Sequence, residues 1–411
     1  MSGPGTTSRT VYLPRLSDHA LAIAAAMRSL GVPAEALPPP DRESMTLGLS
    51  LCRGRECLPC FFCVGDILRK CREPGFDRSA AAFFMPTGPG PCRFGQYRVL
   101  LQMVLAGQGV GPVEIVSPTT DDSYALFGED PRRLRQRSWQ AIVAVDLLAK
   151  LLHETRPYEV THGDCDRAYH TSLEGVVDAF EERGVRALAR ALRDAADRFS
   201  SVKLEGRGTR PRVAILGELY VMLNAESNLQ LVRTVEKAGG EVLLGTFADW
   251  LYYVNWRRRQ QASRLGHYHD SLGALLTDLY QHRIEARLTR ALKGALRHPP
   301  EAPVGEAMKM LRPWYEPDLG TEAVLTMGRA LDVARHGLAG IINVLPFSCM
   351  PGTVVASMAP VLREARDRIP WLDVVFDGQE ETNLRTRLGA FMHQALQHHR
   401  RTAPVERAGA S

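Results

Sequence analysis

The chain has 411 residues, 45% of them hydrophobic and 24% charged, with a formal net charge of +5. That length and composition exclude disordered and fibrous classes and suffice for two or three domains with sizeable cores. Its 51 basic residues against 46 acidic ones fall well short of the concentrated excess of a dedicated nucleic-acid binder, so no nucleic-acid partner is expected.

The first fifteen residues hold no apolar core of the length a secretory signal needs, and a cytoplasmic protein is expected. Residues 10–13 read as a short strand, followed by a helix that Asp18 caps and Gly31 ends. Further strands are predicted at 34–37 and 81–85, the second running into the Gly/Pro loop Thr87-Gly-Pro-Gly-Pro-Cys92. A helix over 96–106 and a strand at 113–116 complete an open α/β unit over 1–129, whose alternation of strand and helix implies a parallel sheet.

From 130 to 199 the pattern turns helical, with Trp139, Ile142, Val143, Leu147 and Leu148 at helical spacing, and 200–211 reads as a linker. A second α/β unit is expected over 211–398, with strands at 213–216, 241–244, 340–345 and 372–376, a helix at 228–238 and a helical insertion over about 250–298. The polar tail, 399–411, is predicted to be disordered. The uncharged run 337–362 carries three prolines and reads as strand, loop and helix start, so no membrane span is expected.

Eight cysteines carry most of the chemical information. In a cytosolic protein, clustered cysteines point to metal or redox chemistry rather than disulfides. Taken locally, Cys52-x4-Cys57-x2-Cys60-x2-Cys63 contains ferredoxin-type spacings, which let one loop wrap an iron-sulfur cube. Two distant loops have the chemistry to complete such a site: Pro86-Thr-Gly-Pro-Gly-Pro-Cys92-Arg-Phe-Gly and Leu345-Pro-Phe-Ser-Cys349-Met-Pro-Gly352. Both follow strands, at the carboxyl ends where open α/β sheets bind ligands. The alternatives are a structural zinc held by Cys57, Cys60, Cys92 and Cys349, and a thioredoxin-like dithiol at Cys57 and Cys60. Cys52, Cys63, Cys71 and Cys165 are expected to be buried, inert thiols.

The remaining features point elsewhere less sharply. Trp256-Arg-Arg-Arg259 reads as a solvated helix face, and His267, His269, His393, His398 and His399 as surface or core histidines. No Gly-x4-Gly-Lys-Ser/Thr loop is present, and Gly217-Glu-Leu-Tyr220 is not a dinucleotide fingerprint, so the chain is not expected to hydrolyse ATP itself.

Several motifs together resemble the 2-hydroxyacyl-CoA dehydratase superfamily, in its activase-related branch. They are Gly54-Arg-Glu-Cys57-Leu-Pro-Cys60 with Gly65-Asp66, Phe83-Phe-Met-Pro86, Gly90-Pro-Cys92-Arg-Phe-Gly-Gln-Tyr97 and Ser117-Pro118. Gly217-Glu218 with Asn224 and Ser227-Asn228, Pro346-Phe-Ser-Cys-Met-Pro-Gly352, and Asp377-Gly-Gln-Glu380 with Arg387-Leu388 continue the likeness to about Gln394.

The resemblance implies two flavodoxin-like α/β domains with a cubane iron-sulfur cluster between them. The superfamily includes dehydratase subunits, benzoyl-CoA reductase subunits and double-cubane cluster proteins, which receive electrons from a separate ATP-hydrolysing activator carrying its own cluster. It implies Cys57, Cys60, Cys92 and Cys349 as ligands and does not support Cys52, Cys63, Cys71 or Cys165. A double-cubane [8Fe-9S] cluster, with six thiolates in relatives, would need two further ligands, so a single [4Fe-4S] cluster is the expectation.

Four thiolates leave no open iron site and favour electron transfer over direct substrate binding. If one of them does not bind, the exposed iron would act on an acyl-CoA, with Glu218, Asn224, Asn228, Asp377 and Glu380 lining the cleft. Capping and turn roles explain those five polar residues equally well. A homo- or hetero-oligomer is expected by likeness to relatives.

Overall fold

A computed structural model of the protein describes residues 9–87, 92–118, 130–181, 184–298, 301–379 and 383–402. The loop positions 88–91, Glu380, the end of the first expected domain at 119–129 and the tail from 403 lie outside the described residues.

The first unit runs β1 (Thr10–Leu13), α1 (His19–Arg28), β2 (Ala34–Ala36), α2 (Arg42–Leu51), α3 (Leu58–Arg72), β3 (Ala81–Phe84), α4 (Tyr97–Gly107) and β4 (Glu114–Val116). Three helices follow, α5 (Pro131–Thr155), α6 (Asp164–Asp178) and α7 (Val185–Ser200). The second unit opens with β5 (Arg212–Gly217), α8 (Leu219–Leu223), α9 (Leu231–Lys237) and β6 (Glu241–Leu244). The helices α10 (Phe247–Arg264), α11 (Tyr268–Thr289), α12 (Val304–Leu311) and α13 (Glu322–Val333) intervene before β7 (Gly340–Pro346), α14 (Met350–Glu364), β8 (Trp371–Phe376) and α15 (Leu384–Thr402).

Each unit has a four-stranded, all-parallel sheet, ordered β2-β1-β3-β4 in the first and β6-β5-β7-β8 in the second. Both orders reverse direction after the first strand of the unit, between β1 and β3 and between β5 and β7. In open parallel sheets, a crevice for ligands forms at such a reversal, beyond the carboxyl ends of the strands. The central strand β7 is buried at every position, which its continuous apolar run Gly340-Ile-Ile-Asn-Val-Leu-Pro346 requires. Asn343 is accommodated there because its side-chain amide donates to the Asp373 carboxylate, 2.7 Å away on the neighbouring strand.

The expected helices and strands are present, with boundaries shifted by a few residues, but four expectations need correction. Residues 58–72 form a helix rather than a ligand-wrapping loop. The helical segment between β6 and β7 extends well beyond 250–298, from Phe247 to Val333, in four helices. The tail does not lose structure at 399, because α15 continues through Thr402.

Asp18 occupies the N-cap position of α1 without capping it by its side chain. Its carboxylate accepts instead from Arg15 at 2.8 Å and from the Tyr169 hydroxyl at 2.9 Å.

The helices of the 130–200 segment are not set apart from the rest. α5, α6 and α7 share one apolar core with α10 to α14, while a second core takes Phe61, Phe62 and Phe83 from the first unit and Val213, Ile342 and Phe376 from the second. The expected linker at 200–211 is tied down, with Leu204 bridged to Glu159 and the Glu205 N–H donating to the Tyr158 carbonyl. No helix among the described residues is long and apolar enough to cross a membrane.

Candidate functional site

Three segments carry the four predicted ligands, and each places a cysteine at the start of a helical turn. Cys57 is the N-cap of α3, Cys349 that of α14, and Cys92 that of a 3₁₀ turn over Arg93–Gln96. All three have extended backbone, and the backbone N–H groups of Phe94 and Gly352 lie close enough to the Cys92 and Cys349 sulfurs to ease their ionisation.

The sequence sets this up by adjacent prolines. Pro59 and Pro351 lie in the first helical turn, where a missing N–H costs nothing and φ is already helical. The unpaired N–H groups and dipoles of the two fifteen-residue helices, α3 and α14, favour negative charge at their starts. Such a position lowers the cost of a thiolate.

Arg93 binds the three segments together. Its guanidinium donates to the carbonyl of Arg55, beside Cys57, and to the carbonyl of Ser348, beside Cys349, at 2.7 Å. It also reaches the Ser348 hydroxyl at 3.2 Å. Arg93 itself follows Cys92, so one side chain joins every cysteine-bearing loop and spans the two α/β units.

Ser348 holds a left-handed φ of 57°, unusual for a residue with a Cβ, and this turn delivers Cys349 from the end of β7. Gly352 has no room for a side chain, since a Cβ there would lie 2.5 Å from the Leu345 Cβ; the start of α14 therefore rests directly on the end of β7.

Burial pushes the cysteine thiols up. Cys92 and Cys349 both rise to about 12, first through desolvation, with the charges of Glu218 and Glu322 adding to it. Cys57 is raised by burial and partly relieved by the Tyr97 hydroxyl, which lies 2.6 Å from its sulfur. Cys60 is raised by its hydrogen bond with Cys52 and then by burial. Without a bound cation, all four are neutral thiols at pH 7, and binding a metal there must release their protons.

Among the other cysteines, Cys52 and Cys63 lie close by. Cys52 bonds Cys60, and Cys63 sits one turn further along α3. Cys71 is at the far end of α3, and Cys165 is buried in α6 beside Glu159; neither approaches this cleft. Among the described residues, no three or more His, Cys, Asp or Glu side chains are close enough to hold a single metal ion.

Two carboxyl groups face the cysteines. Glu218 follows β5 and caps α8, accepting from the N–H groups of Tyr220 at 3.1 Å and Val221 at 2.9 Å. Burial nonetheless pushes it up to about 6. Glu322, the first residue of α13, is pushed up to about 8 by burial and by the charge of Glu218, although Trp250 offers it a hydrogen bond. Its Oε2 is buried with no hydrogen-bond partner. At neutral pH this pair holds a proton.

Of the other polar residues expected to line the cleft, Asn224 donates to the Leu16 carbonyl at 3.1 Å and accepts from Ser227 N–H, and Asn228 donates to the Val221 carbonyl at 2.7 Å. Asp377 accepts from Gln379 N–H in a turn. These are capping and joining roles.

Sequence reading assigned no part to Arg93, Tyr97 or Glu322. Arg93 and Tyr97 lie inside a quoted motif, which was a usable signal, whereas Glu322 looks like any acid in a first helical turn. No protein-family model matches this chain, and no curated protein is significantly similar to it.

Proposed function

We propose that the protein is an iron-sulfur redox protein, with Cys57, Cys60, Cys92 and Cys349 holding one [4Fe-4S] cluster between two flavodoxin-like domains. Electrons would come from a separate ATP-hydrolysing activator, as the resemblance to the 2-hydroxyacyl-CoA dehydratase superfamily implies. The observation that carries this reading is the Arg93 guanidinium, which holds all three cysteine-bearing loops at the strand-order reversal of both sheets.

The donor set fits the group. Cys57, Cys60 and Cys349 are buried at the starts of α3 and α14, where the helix dipoles favour anions, and Cys92 is half-buried beside them. Among the described residues no three His, Cys, Asp or Glu side chains are gathered closely enough to hold a single metal ion.

When bound, the cluster supplies one-electron transfer at a potential tuned by hydrogen bonds and burial. The chain's own part is to orient the thiolates, to donate the Tyr97 hydroxyl toward the Cys57 sulfur, and to keep Glu218 and Glu322 near the cluster's charge. Phe347 and Met350 are exposed beside Cys349 and give the cleft an apolar mouth.

A second reading is an acyl-CoA dehydratase or reductase. It is favoured by the Glu218–Glu322 pair, because one carboxyl held protonated near pH 7 is suited to give a proton to a departing hydroxyl group.

The deciding experiment is the iron, acid-labile sulfide and zinc content of anaerobically purified protein, with an electron paramagnetic resonance spectrum after reduction. About four irons per chain, lost in Cys92→Ser and Cys349→Ser, is the expected result, and about eight would mean a double cubane. Zinc without sulfide would refute both redox readings. Cluster reduction without turnover of 2-hydroxyacyl-CoA separates the first reading from the second.

A further inference from the structure

Ser17, His19 and Asp146 form a hydrogen-bonded line away from the cysteines. The Ser17 hydroxyl lies 2.8 Å from His19 Nδ1, and His19 Nε2 lies 3.0 Å from Asp146 Oδ1. Ser17 stands in the turn between β1 and α1, beyond the carboxyl end of β1, where the strand order of the first sheet reverses. His19 and Asp146 are buried, whereas Ser17 is partly exposed.

The partners of Asp146 fix the direction of both hydrogen bonds. At the start of α10 the Phe247 N–H donates to its Oδ1 at 3.1 Å and the Ala248 N–H to its Oδ2 at 2.9 Å. Both oxygens therefore act as acceptors, and His19 Nε2 carries the hydrogen it donates to Oδ1. In the neutral imidazole the other nitrogen, Nδ1, is then bare, so Ser17 is the donor. A hydroxyl that donates to a base oriented by a carboxylate is the arrangement of an activated nucleophile. Relative to the serine proteases the two ring nitrogens exchange places, and it is the roles of the groups that define such a site.

The turn is held in place before any substrate arrives. Tyr169 of α6 donates to Asp18 at 2.9 Å, and Asn224, after α8, donates to the Leu16 carbonyl at 3.1 Å. The His19 ring packs edge-on against Phe247. At the start of α1, the N–H groups of Asp18 and His19 have no acceptor among the described residues and are available to developing negative charge beside Ser17.

We propose that Ser17 is the nucleophile of a separate hydrolytic centre acting on a carboxylic ester or thioester, independent of the iron-sulfur reading. Ser17 Oγ bonds to the acyl carbon as its proton passes to His19 Nδ1. The bond from the acyl carbon to the leaving oxygen or sulfur breaks, and His19 gives that atom the proton. Water then attacks the acyl-serine by the same route, releasing the acid and restoring the Ser17 hydroxyl. Asp146 is a positioning residue that holds the ring and stabilises its charged form. Phosphoryl transfer suits the centre less well, because Arg15, the one cation of the turn, is paired with Asp18 at 2.8 Å and offers no clamp for a phosphoryl group.

The test is reaction of the full chain with a fluorophosphonate probe, with the modified residue located by peptide mass spectrometry, beside initial rates of hydrolysis of p-nitrophenyl acetate and phenyl thioacetate. The folded protein is expected to be labelled at Ser17, and urea-unfolded protein not to be. Ser17→Ala, which removes one partly exposed hydroxyl, is expected to lose the label and about a hundredfold or more of the hydrolysis of whichever ester is turned over. Asp146→Asn is expected to label about 10³–10⁴-fold more slowly with unchanged far-ultraviolet circular dichroism, because an amide favours the wrong tautomer of His19. Rescue of the labelling rate in Asp146→Glu separates this positioning role from a merely structural one.

No label at Ser17, hydrolysis that is absent or unchanged in Ser17→Ala, or a folded Asp146→Asn that labels as fast as wild type would each overturn the proposal. Should Asp146→Asn fail to fold, the comparison of wild type with Ser17→Ala decides alone.

Discussion

Asp66 is buried on α3, where desolvation pushes its carboxyl up to about 7 against the opposing hydrogen bond from Ser44 and the nearby charge of Arg69. An aspartate in an unfolded chain titrates near 3.9. The folded protein therefore binds this proton more tightly than the unfolded one, and stability falls as pH rises from about 4 to about 7, then levels off. Asp66→Asn is expected to lessen that slope, to which the raised Glu218 and Glu322 also contribute, and to be more stable than wild type at pH 8 by on the order of 2–4 kcal/mol, less whatever the lost contact with Ser44 costs. Urea denaturation of both proteins at pH 5 and pH 8 measures it; a wild-type stability that is unchanged or higher at pH 8 would show that Asp66 is not held protonated.

Arg93 is only partly buried, so its removal is expected to change global stability by about 1 kcal/mol at most. Its effect should lie in the site. Arg93→Ala is expected to retain clearly less iron than wild type after anaerobic purification while melting within a few degrees of it. Equal iron content in the two proteins would mean that the three loops hold their positions without the guanidinium.

At the scale of elements, α3 owes its place to two glycines. A Cβ on Gly48 of α2 would lie 1.8 Å from the Phe61 carbonyl oxygen, and one on Gly65 of α3 would lie 1.8 Å from the Ser44 carbonyl oxygen. The two helices cross with their backbones in contact, and this crossing sets the position of the α3 start with Cys57 and Cys60. Gly65→Ala forces backbone against backbone, which no rotamer relieves, and is expected to cost about 3 kcal/mol or more or to abolish soluble expression. Gly175, in the last turn of α6, faces open space, with nothing within 4 Å of where a Cβ would stand. Gly175→Ala is the matched control and is expected to be neutral or stabilising by about 0.5–1 kcal/mol. Similar denaturation midpoints for the two variants would refute the close crossing.

α3 was also the element least legible in the sequence. Twelve of its fifteen residues are buried, so it lacks the one-sided apolar stripe that identifies an amphipathic helix, and its cysteine spacing invites a loop reading. α11 is obscured for a related reason, since apolar residues on both faces, Ala274, Ile284 and Leu288 buried and Leu272, Leu275 and Leu279 exposed, cancel the one-sided pattern. The strands were easier. β5 and β7 are short apolar runs bounded by turn residues, and burial on both faces of a parallel sheet demands that composition; the edge strand β8 is apolar too but buried only at Val374 and Phe376.

At the scale of the molecule, charged groups and shared cores join the parts. Arg156, at the end of α5, makes two hydrogen bonds to the Glu236 carboxylate on α9, at 2.8 and 2.9 Å, and one to Asp166 at 3.2 Å; Arg233 meets Asp166 at 2.6 Å. Arg156 and Glu236 are both buried. Glu236→Ala would leave the guanidinium with reduced compensation in a buried setting and is expected to cost about 3–5 kcal/mol by chemical denaturation. A cost below about 1 kcal/mol would show that water takes the place of the carboxylate. The core that runs from Phe61 and Phe83 to Ile342 and Phe376 predicts in turn that the two sheets melt together in a single calorimetric transition.

By itself, the sequence determined the alternation of strand and helix, the parallel character of both sheets and the candidate cysteines, because these depend on local periodicity, turn residues and residue chemistry. Only the tertiary structure decided that Cys57, Cys92 and Cys349 begin helical turns joined by Arg93, and that Glu322 stands beside Glu218. It alone also left one face of α11 uncovered. The physical reason is that each of these depends on contacts between residues tens to hundreds of positions apart, where strand order and the close crossing of helices, rather than local pattern, set which groups meet.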